Sequence, residues 1–510
     1  MICKDNLPLS CTEKEGFKKF LNTTVPLYKP PSRKMITLMI EQKYISLQAI
    51  IHRKLNNIGI IALTTDIATV MNSTRSFIVL TAHYIDDENA TFESFCLGVK
   101  NLIPHHTAEN ICSDLTEMID AWGIKKDNII SVTTDNGANI VAAVNLLLGN
   151  KGHVSCFAHN INLVVTKALG AVQDVVAIIE KVKRIVAYFK HSNTAQDDLR
   201  GEQRREGKKD GTFLYLKQEV PTRWNSTYYC LERFILLSGH IGKILLMTTH
   251  KKAPPMLTAT ELSIIEECLQ LLAPFESATK TISGEKYLSG SLVIPLINCL
   301  NLSLQRIIVS HDLSQKLKEE LSQQIERRLR PQEKNILLGV ATMLDPRFKK
   351  IHFNSPLMVS NIINRLKTEV RENARRTEIE DRDTEPDNVG TATTSKDIWG
   401  IHEEAAASLW SASDIDNPGM IPSELKLYLE QPTIPRNSDP LRFWASNKNA
   451  YPGTAKVALK YLTTLGASVS SERVVSWLNY VCNDLRSRLT PEHTNQLVFL
   501  GALDNKYWQI

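Results

Sequence analysis

Two aspartates stand where strand-like runs of the sequence end. Asp66 follows the apolar run at 58–65, and Asp135 follows a second run at 128–134. Carboxylates at the ends of neighbouring strands can converge on one cleft. With a third ligand from a helix, they could hold two Mg²⁺ ions about 3.5–4 Å apart and clamp an in-line phosphoryl transfer. The alternative is structural, because Asp135-Asn136-Gly137 is also good turn chemistry.

The pattern around these aspartates predicts a mixed α/β core. Strands are predicted at 58–65, 76–85, 91–99, 128–134 and 154–157, and helices at 108–122, 138–148 and 158–169. Three strands that can pair as a meander come first, and strands and helices then alternate. That order is typical of a mixed sheet in an α/β layer.

The rest of the chain reads as helix, with two polar interruptions. Helical patterns dominate residues 224–370. The basic stretch at 200–211 is expected to be a surface loop, with phosphate contact as the alternative. Residues 372–398 are charged and nearly free of apolar side chains, which predicts a flexible linker.

Composition restricts the class of protein. The 510 residues suggest about two to four domains of ~100–200 residues. With 43% hydrophobic and 23% charged residues, the composition is that of a soluble globular protein. There is no apolar run of membrane-spanning length and no signal-peptide pattern, so we expect no membrane partner. The net charge of +5 is only a weak indication of nucleic-acid binding.

The cysteines argue against disulfides and against a zinc finger. Nine cysteines are scattered along the chain, and no two are spaced as CxxC. This pattern is typical of reduced thiols inside a cell, so we expect no structural zinc.

The C-terminal region carries successive amphipathic helical patterns. They lie at 455–465 and 471–485, and Thr490-Pro491-Glu492 has the capping chemistry that opens a third. An aromatic run, Phe443-Trp444 and then Tyr451, precedes them and is expected to be exposed.

The order of short motifs here resembles the C-terminal dimerisation region of hAT-family transposases and their domesticated BED-finger relatives. The matching motifs are Asn437-Ser438-Asp439-Pro440-Leu441, Trp444, Tyr451-Pro452, Lys460-Tyr461-Leu462, Ser470-Ser471-Glu472-Arg473 and Arg486-Ser487-Arg488-Leu489. The match covers about seventy residues in one order, which makes it specific.

The resemblance implies a ribonuclease H-like α/β core interrupted by a large all-helical insertion. The implied domains are an N-terminal helical segment at 1–55 like the hAT dimerisation segment, the core at 58–235, the insertion at 236–371, the linker at 372–398 and the dimerisation region at 424–505. The BED zinc finger of such relatives is not found in these residues. Either these residues are a fragment or an alternative product, or the DNA-reading module has been lost.

The resemblance also implies catalytic residues. It places the three metal-binding carboxylates at Asp66, Asp135 and Glu472, with Mg²⁺ or Mn²⁺ as the cofactor. Glu472 lies in the first turn of its predicted helix, where the helix dipole favours a negative charge. The simpler alternative is that Glu472 only stabilises that turn.

Further motifs of the family suggest contacts with DNA and with a second copy. Arg223-Trp224 resembles a motif whose tryptophan stacks on a flipped base, an interaction worth about 1–3 kcal/mol; the alternative is a packed tryptophan. Phe443, Trp444, Tyr451 and Trp477 are candidate dimerisation residues.

Two other motifs are more plausibly structural than functional. Cys156-x-x-His159 is only half a zinc site, so packing or hydrogen bonding is the favoured role. Asp345 and Arg347 lie in a segment found in BED-finger relatives, and we expect a structural turn there.

The sequence also departs from the family pattern. Ala68 stands where a tryptophan is usual, and bulky Trp477 and Leu478 stand where small residues are usual. These departures indicate release from selection for transposition, or reuse.

The favoured interpretation is a transposase-derived nuclear protein that self-associates, at least as a dimer, and can contact DNA. One alternative is an active DDE-type transposase that performs metal-dependent strand cleavage and transfer. Another is an interaction module with no DNA role. No small-molecule cofactor is expected.

Overall fold

The computed structural model describes residues 1–70, 75–86, 89–102, 106–150, 152–220, 223–284, 288–384, 421–482, 486 and 489–508. The strands are β1 (Ile61–Val70), β2 (Arg75–Asp86), β3 (Thr91–Leu102), β4 (Ile129–Thr134) and β5 (His153–Ser155). The first helices are α1 (Glu15–Thr24), α2 (Arg33–Asn56), α3 (Ala108–Ala121), α4 (Ala138–Leu148), α5 (Phe157–Ala171), α6 (Gln173–His191), α7 (Asn193–Arg205), α8 (Trp224–Leu245) and α9 (Ala259–Ile282). The later ones are α10 (Val293–Arg306), α11 (Asp312–Arg328), α12 (Ile336–Met343), α13 (Pro356–Thr384), α14 (Ser423–Glu430), α15 (Pro440–Asn447), α16 (Pro452–Leu462), α17 (Val469–Val481) and α18 (Pro491–Ala502).

The strands form a single mixed sheet in the order β3-β2-β1-β4-β5. The meander of β1, β2 and β3 is antiparallel, whereas β4 runs parallel to β1 and β5 parallel to β4. The predicted meander followed by alternating helix and strand is therefore confirmed. Strands β1 and β2, in the middle of the sheet, are mostly buried, as expected of strands covered on both faces.

The chain divides into two compact units. The first contains residues 1–156, 285–294 and 334–510 and holds the whole sheet. Its core joins side chains of α2, α3 and α4 to the strands and to α17 and α18. The last helices of the chain therefore complete a core that begins at its first helices.

Helix α18 lies against the edge strand β3. A side chain at Gly98 would overlap the amide of Asn495, whose Oδ1 would be 2.3 Å from the added Cβ. Glycine at this position, with a φ of +135°, lets Asn495 accept a hydrogen bond of 2.8 Å from the Val99 N–H. Asn495 thereby satisfies one backbone donor of this edge strand.

The second unit contains residues 157–284 and 295–333 and is helical. In it α5 packs against α9 and α11, and α8 packs against α7 and α9. Helix α9 begins with a capping box, in which Thr258 and Glu261 each accept the other's N–H. The first boundary between the two compact units falls at residue 157, whereas the predicted boundary between core and insertion falls at residue 235. The domain boundaries stay a prediction.

Two sequence expectations differ from the structure. Residues 200–205 belong to α7, where a surface loop was predicted. Helix α13 continues to Thr384, so residues 372–384 are helical where a linker was predicted. Glu, Ala and Arg are good helix formers, which explains why a polar stretch can still extend a helix. The rest of the predicted linker lies outside the described residues.

Among the described helices, none alone has the length and apolar composition to span a membrane. Helices α5 and α6 reach that standard only together, as a pair bent by 100°.

Candidate acidic site

The pairing of β1 with β4 brings two aspartates to the same level of the sheet. Thr64 of β1 is opposite Thr133 of β4 in the parallel register. Asp66 and Asp135 each lie two residues further along. Asp66 is inside β1 and pairs with Val79 of β2, so the prediction that it ends its strand is corrected. Strand β1 continues because β2 still pairs with it after β4 has ended.

Each aspartate is oriented by a nearby backbone donor. Asp66 accepts a hydrogen bond of 2.9 Å from the Ile67 N–H. Asp135 accepts one of 3.0 Å from the N–H of Gly137, just before α4, which is the turn chemistry expected from the sequence. Both carboxylates are half-buried.

Glu472 arrives from the far end of the chain. It occupies the first turn of α17, and this helix packs across β1 and β2. The segment leading into α17, residues 461–468, is entirely buried in the first unit. The Thr133 hydroxyl donates a hydrogen bond of 2.8 Å to the Leu465 carbonyl, which connects this segment to β4.

The three carboxylates influence one another. The pKa of Asp66 is raised from 3.8 to about 7, chiefly by burial and then by the nearby charges of Asp135 and Glu472, against a lowering by the bond from the Ile67 N–H. The structure therefore brings all three acids predicted from the sequence into one electrostatic neighbourhood. Like charges gathered in this way oppose ionisation unless a cation offsets them.

The donor set suits a hard divalent cation. Carboxylate oxygens are the ligands that Mg²⁺ and Mn²⁺ prefer, and a cation would relieve the repulsion that raises the pKa of Asp66. Within the described residues, however, no group of three or more His, Cys, Asp or Glu side chains is close enough to enclose one ion. The charge and the oxygen ligands of the three acids suit such cations. The acids do not, however, surround a single ion position.

Three regions of the chain match known family models, and these regions contain the three acids. Residues 64–156 match the ZBED1 RNase-like domain, and residues 154–271 match the ZBED1 RNase-like helical domain. Residues 424–502 match the hAT family C-terminal dimerisation region. The chain thus carries a region similar to the hAT dimerisation region together with regions similar to the ZBED1 RNase-like domains. Both aspartates lie within the RNase-like match, and Glu472 lies within the dimerisation-region match.

The chain has similar relatives over nearly all of its length. It is 25% identical to the human zinc finger BED domain-containing protein 4, over 98% of this chain and 42% of the relative. It is 23% identical to the putative AC transposase of Zea mays, over 98% of this chain and 63% of the relative. The chain spans about half the length of the curated relatives it matches.

The hAT-like Arg223-Trp224 motif belongs to the helical unit. Arg223 is exposed, whereas Trp224 is only 4% exposed and packs edge-on against Tyr228. Its backbone N–H donates to the Asn162 side chain. The expectation of a tryptophan face open to a base is corrected here, because neighbouring helices cover the ring. The packed alternative describes it better.

The candidate dimerisation aromatics are mostly internal. Trp444 is 0% exposed and Tyr451 is 5% exposed, and both pack around Tyr428. They cannot be surface anchors in this arrangement, so that expectation is corrected. An aromatic run looks the same in sequence whether it faces a partner or another part of its own chain. Phe443 and Trp477 are half-buried.

The two remaining motifs have structural partners. The buried sulfur of Cys156 accepts a hydrogen bond of 3.4 Å from the Ser468 N–H. Asp345 is fully buried and pairs with Arg347, which agrees with the expected structural turn.

Sequence reasoning missed one polar cluster beside the acids. His83 is buried in β2 and contacts the Thr64 hydroxyl and the Ser470 hydroxyl of α17. The available signal was a lone histidine in an otherwise apolar strand.

Proposed function

We propose that this chain is a transposase-derived nuclear protein that acts on DNA through a divalent-cation site formed by Asp66, Asp135 and Glu472. One observation carries the proposal: residues far apart in sequence supply three carboxylates whose charges act on one another.

The chemistry follows from the residues present. When bound, Mg²⁺ or Mn²⁺ would supply Lewis-acid stabilisation of the charge that develops on a DNA phosphate. Asp66 and Asp135 would hold the cations from adjacent strands, and Glu472 from a helix start. The raised pKa of Asp66 means that cation binding near neutral pH releases a proton from this carboxyl.

Contact with DNA is the second part of the proposal. The exposed Arg223 is a candidate phosphate contact, and the basic stretch at 200–211, which begins in the last turns of α7, is another. Trp224 could stack on a base only after leaving its packed position. If the chain binds duplex DNA with an affinity that falls as salt rises, the interaction-only alternative is excluded.

Nicking of supercoiled plasmid tests the cation site. We expect Mn²⁺- or Mg²⁺-dependent nicking by the full chain, and a loss of about 100-fold or more in Asp66→Asn, Asp135→Asn and Glu472→Gln. Asp127→Asn is the matched control, because Asp127 is an exposed acid of the same unit. Equal nicking by all variants would identify a contaminant. Absence of nicking by the full chain, also when it carries an added DNA-binding finger and is offered varied DNA ends, would remove the cleavage function.

Self-association is a second candidate function. It is favoured by the match of residues 424–502 to the hAT dimerisation region. Because Trp444 and Tyr451 are internal, the surface would come from more exposed side chains. Tyr480 of α17 is 57% exposed and lies beside Trp477, with ring centroids 5.7 Å apart. This pair is the better candidate for an aromatic anchor.

A further inference from the structure

A polar cluster, buried at Thr64, His83 and Ser471, connects the start of α17 to three strands. The Thr64 hydroxyl of β1 lies 2.7 Å from the Ser471 hydroxyl and 3.0 Å from the Ser470 hydroxyl. It also lies 3.1 Å from His83 Nε2 of β2, and His83 Nδ1 lies 2.8 Å from the Ser94 hydroxyl of β3. We call these five residues the hydroxyl–histidine cluster.

The Thr64 hydroxyl, at the centre of this cluster, has a neighbour for each of its hydrogen-bonding positions. A threonine hydroxyl has one donor and two acceptor positions, and Thr64 has three neighbours to fill them. His83 is only 1% exposed, and burial lowers its pKa to about 3. It is therefore neutral at physiological pH, with one ring nitrogen donating and the other accepting.

The cluster adjoins Asp66 on β1 and Glu472 on α17. Thr64 is two residues before Asp66, so both side chains lie on the same face of β1. Ser471 directly precedes Glu472. A shift or rotation of the first turn of α17 would therefore move Glu472 relative to Asp66.

Apolar packing alone would hold the helix less specifically. Val474 and Leu478 bury α17 against the core, but hydrophobic contact is not directional. Hydrogen bonds require defined distances and angles, so a cluster with its partners in place specifies one register.

We propose that the hydroxyl–histidine cluster is a positioning device for the acidic site. Thr64, held by His83, fixes the first turn of α17 so that Glu472 faces Asp66. The inference rests on the proposed cation site and extends it to residues that touch no ligand.

Substitution of Thr64 in the full chain tests the device. Thr64→Val keeps the shape and removes the hydroxyl, whereas Thr64→Ser keeps the hydroxyl. Thr342→Val is the matched control: Thr342 is a fully buried threonine of the same unit that donates to the Leu338 carbonyl instead. The two measurements are Mn²⁺ affinity by titration calorimetry and hydrogen–deuterium exchange of residues 469–475.

We expect Thr64→Val to weaken Mn²⁺ binding about tenfold, the lower end of the usual effect for residues that orient metal ligands. Exchange at 469–475 should become faster in the same variant. Thr64→Ser should restore both properties, and Thr342→Val should change neither, although it lowers overall stability.

Each other outcome has a definite meaning. Unchanged exchange at 469–475 in Thr64→Val overturns the inference. Equal effects of Thr64→Val and Thr342→Val also overturn it, because the cluster would then contribute only general stability. If the full chain binds no Mn²⁺ but exchange responds to Thr64→Val alone, the cation function fails and the positioning of α17 stands.

Discussion

The indole N–H of Trp444 donates a hydrogen bond of 2.9 Å to the main-chain carbonyl of Leu344, 100 positions earlier in the chain. The Trp444 ring lies 4.7 Å, centroid to centroid, from that of Tyr428. Much of the region at 424–502, which matches the hAT dimerisation region, thus packs inside the core of a single chain. Truncation near residue 435 would remove core helices, so self-association is better tested with surface substitutions.

Removal of the Trp444 ring should strongly destabilise the first unit. We expect Trp444→Ala to lower the free energy of unfolding by about 3–5 kcal/mol. Trp444→Phe should cost about 1–3 kcal/mol, since the buried Leu344 carbonyl loses its donor. Urea unfolding followed by circular dichroism measures both. Leu427→Ala on the exposed side of α14 is the control, and a Trp444→Ala effect no larger than that of the control would contradict the buried position.

The acidic site should make stability depend on pH. The pKa of Asp66 is raised to about 7 in the folded chain from the usual 3.8, so the folded state holds this proton more tightly. Its stabilising contribution is complete below about pH 4 and is lost as pH rises through 7. Asp66→Asn should therefore match the wild type near pH 4 and be more stable at pH 8, as measured by thermal unfolding across pH.

A bound cation should reduce or reverse the stability difference between the wild type and Asp66→Asn at pH 8. Added Mn²⁺ at pH 8 should raise the melting temperature of the wild type and leave that of Asp66→Asn unchanged. Asp127→Asn serves as the control and should behave as the wild type in both experiments. Parallel pH curves for the wild type and Asp66→Asn would argue against a raised pKa at this carboxyl.

The buried segment before α17 should tolerate no added side-chain volume. A Cβ at Gly466 would lie 2.4 Å from Val293 Cγ2 and 2.7 Å from the Ser289 carbonyl oxygen. We expect Gly466→Ala to cost about 1–3 kcal/mol. Gly239→Ala is the matched control, because no atom lies within 4 Å of the added Cβ in α8. The control should be slightly stabilising, by roughly 0.5–1 kcal/mol, and equal melting temperatures would contradict the tight packing.

Self-association should respond to the outer face of α17. Tyr480→Ser removes an exposed aromatic side chain and should weaken association by about tenfold or more, as expected for an interface anchor worth more than 1 kcal/mol. Sedimentation velocity over a range of concentrations measures this. Leu427→Ser is the control, because it removes a similarly exposed apolar side chain, 56% exposed, elsewhere in the region that matches the hAT dimerisation region. Equal weakening by both would show that neither site is specific.

The sheet could be predicted because its signals are local. Apolar or alternating runs predicted the five described strands, although β1 continues five residues past its predicted end. Thr490-Pro491 marked the start of α18, where Thr490 accepts the His493 N–H. The approach of Asp66 to Asp135 follows from strands that lie side by side. These features need no knowledge of distant contacts.

The rest depends on contacts that no local pattern records. Only the family resemblance linked Glu472 to the aspartates, because it lies 406 residues after Asp66 and 337 after Asp135. The same limitation explains the errors at Trp444 and Trp224, whose covering residues come from other segments. His83 was missed because its partners lie on β1, β3 and α17.

The buried segment at 461–468 has a consequence for synthesis of the protein. At about 5–20 residues per second, the ribosome reaches Glu472 on the order of 20–80 s after Asp66. Until then the growing chain holds two of the three acids, and the last helices cannot dock. Any activity that needs all three is thus withheld from nascent and prematurely terminated chains by the order of translation alone.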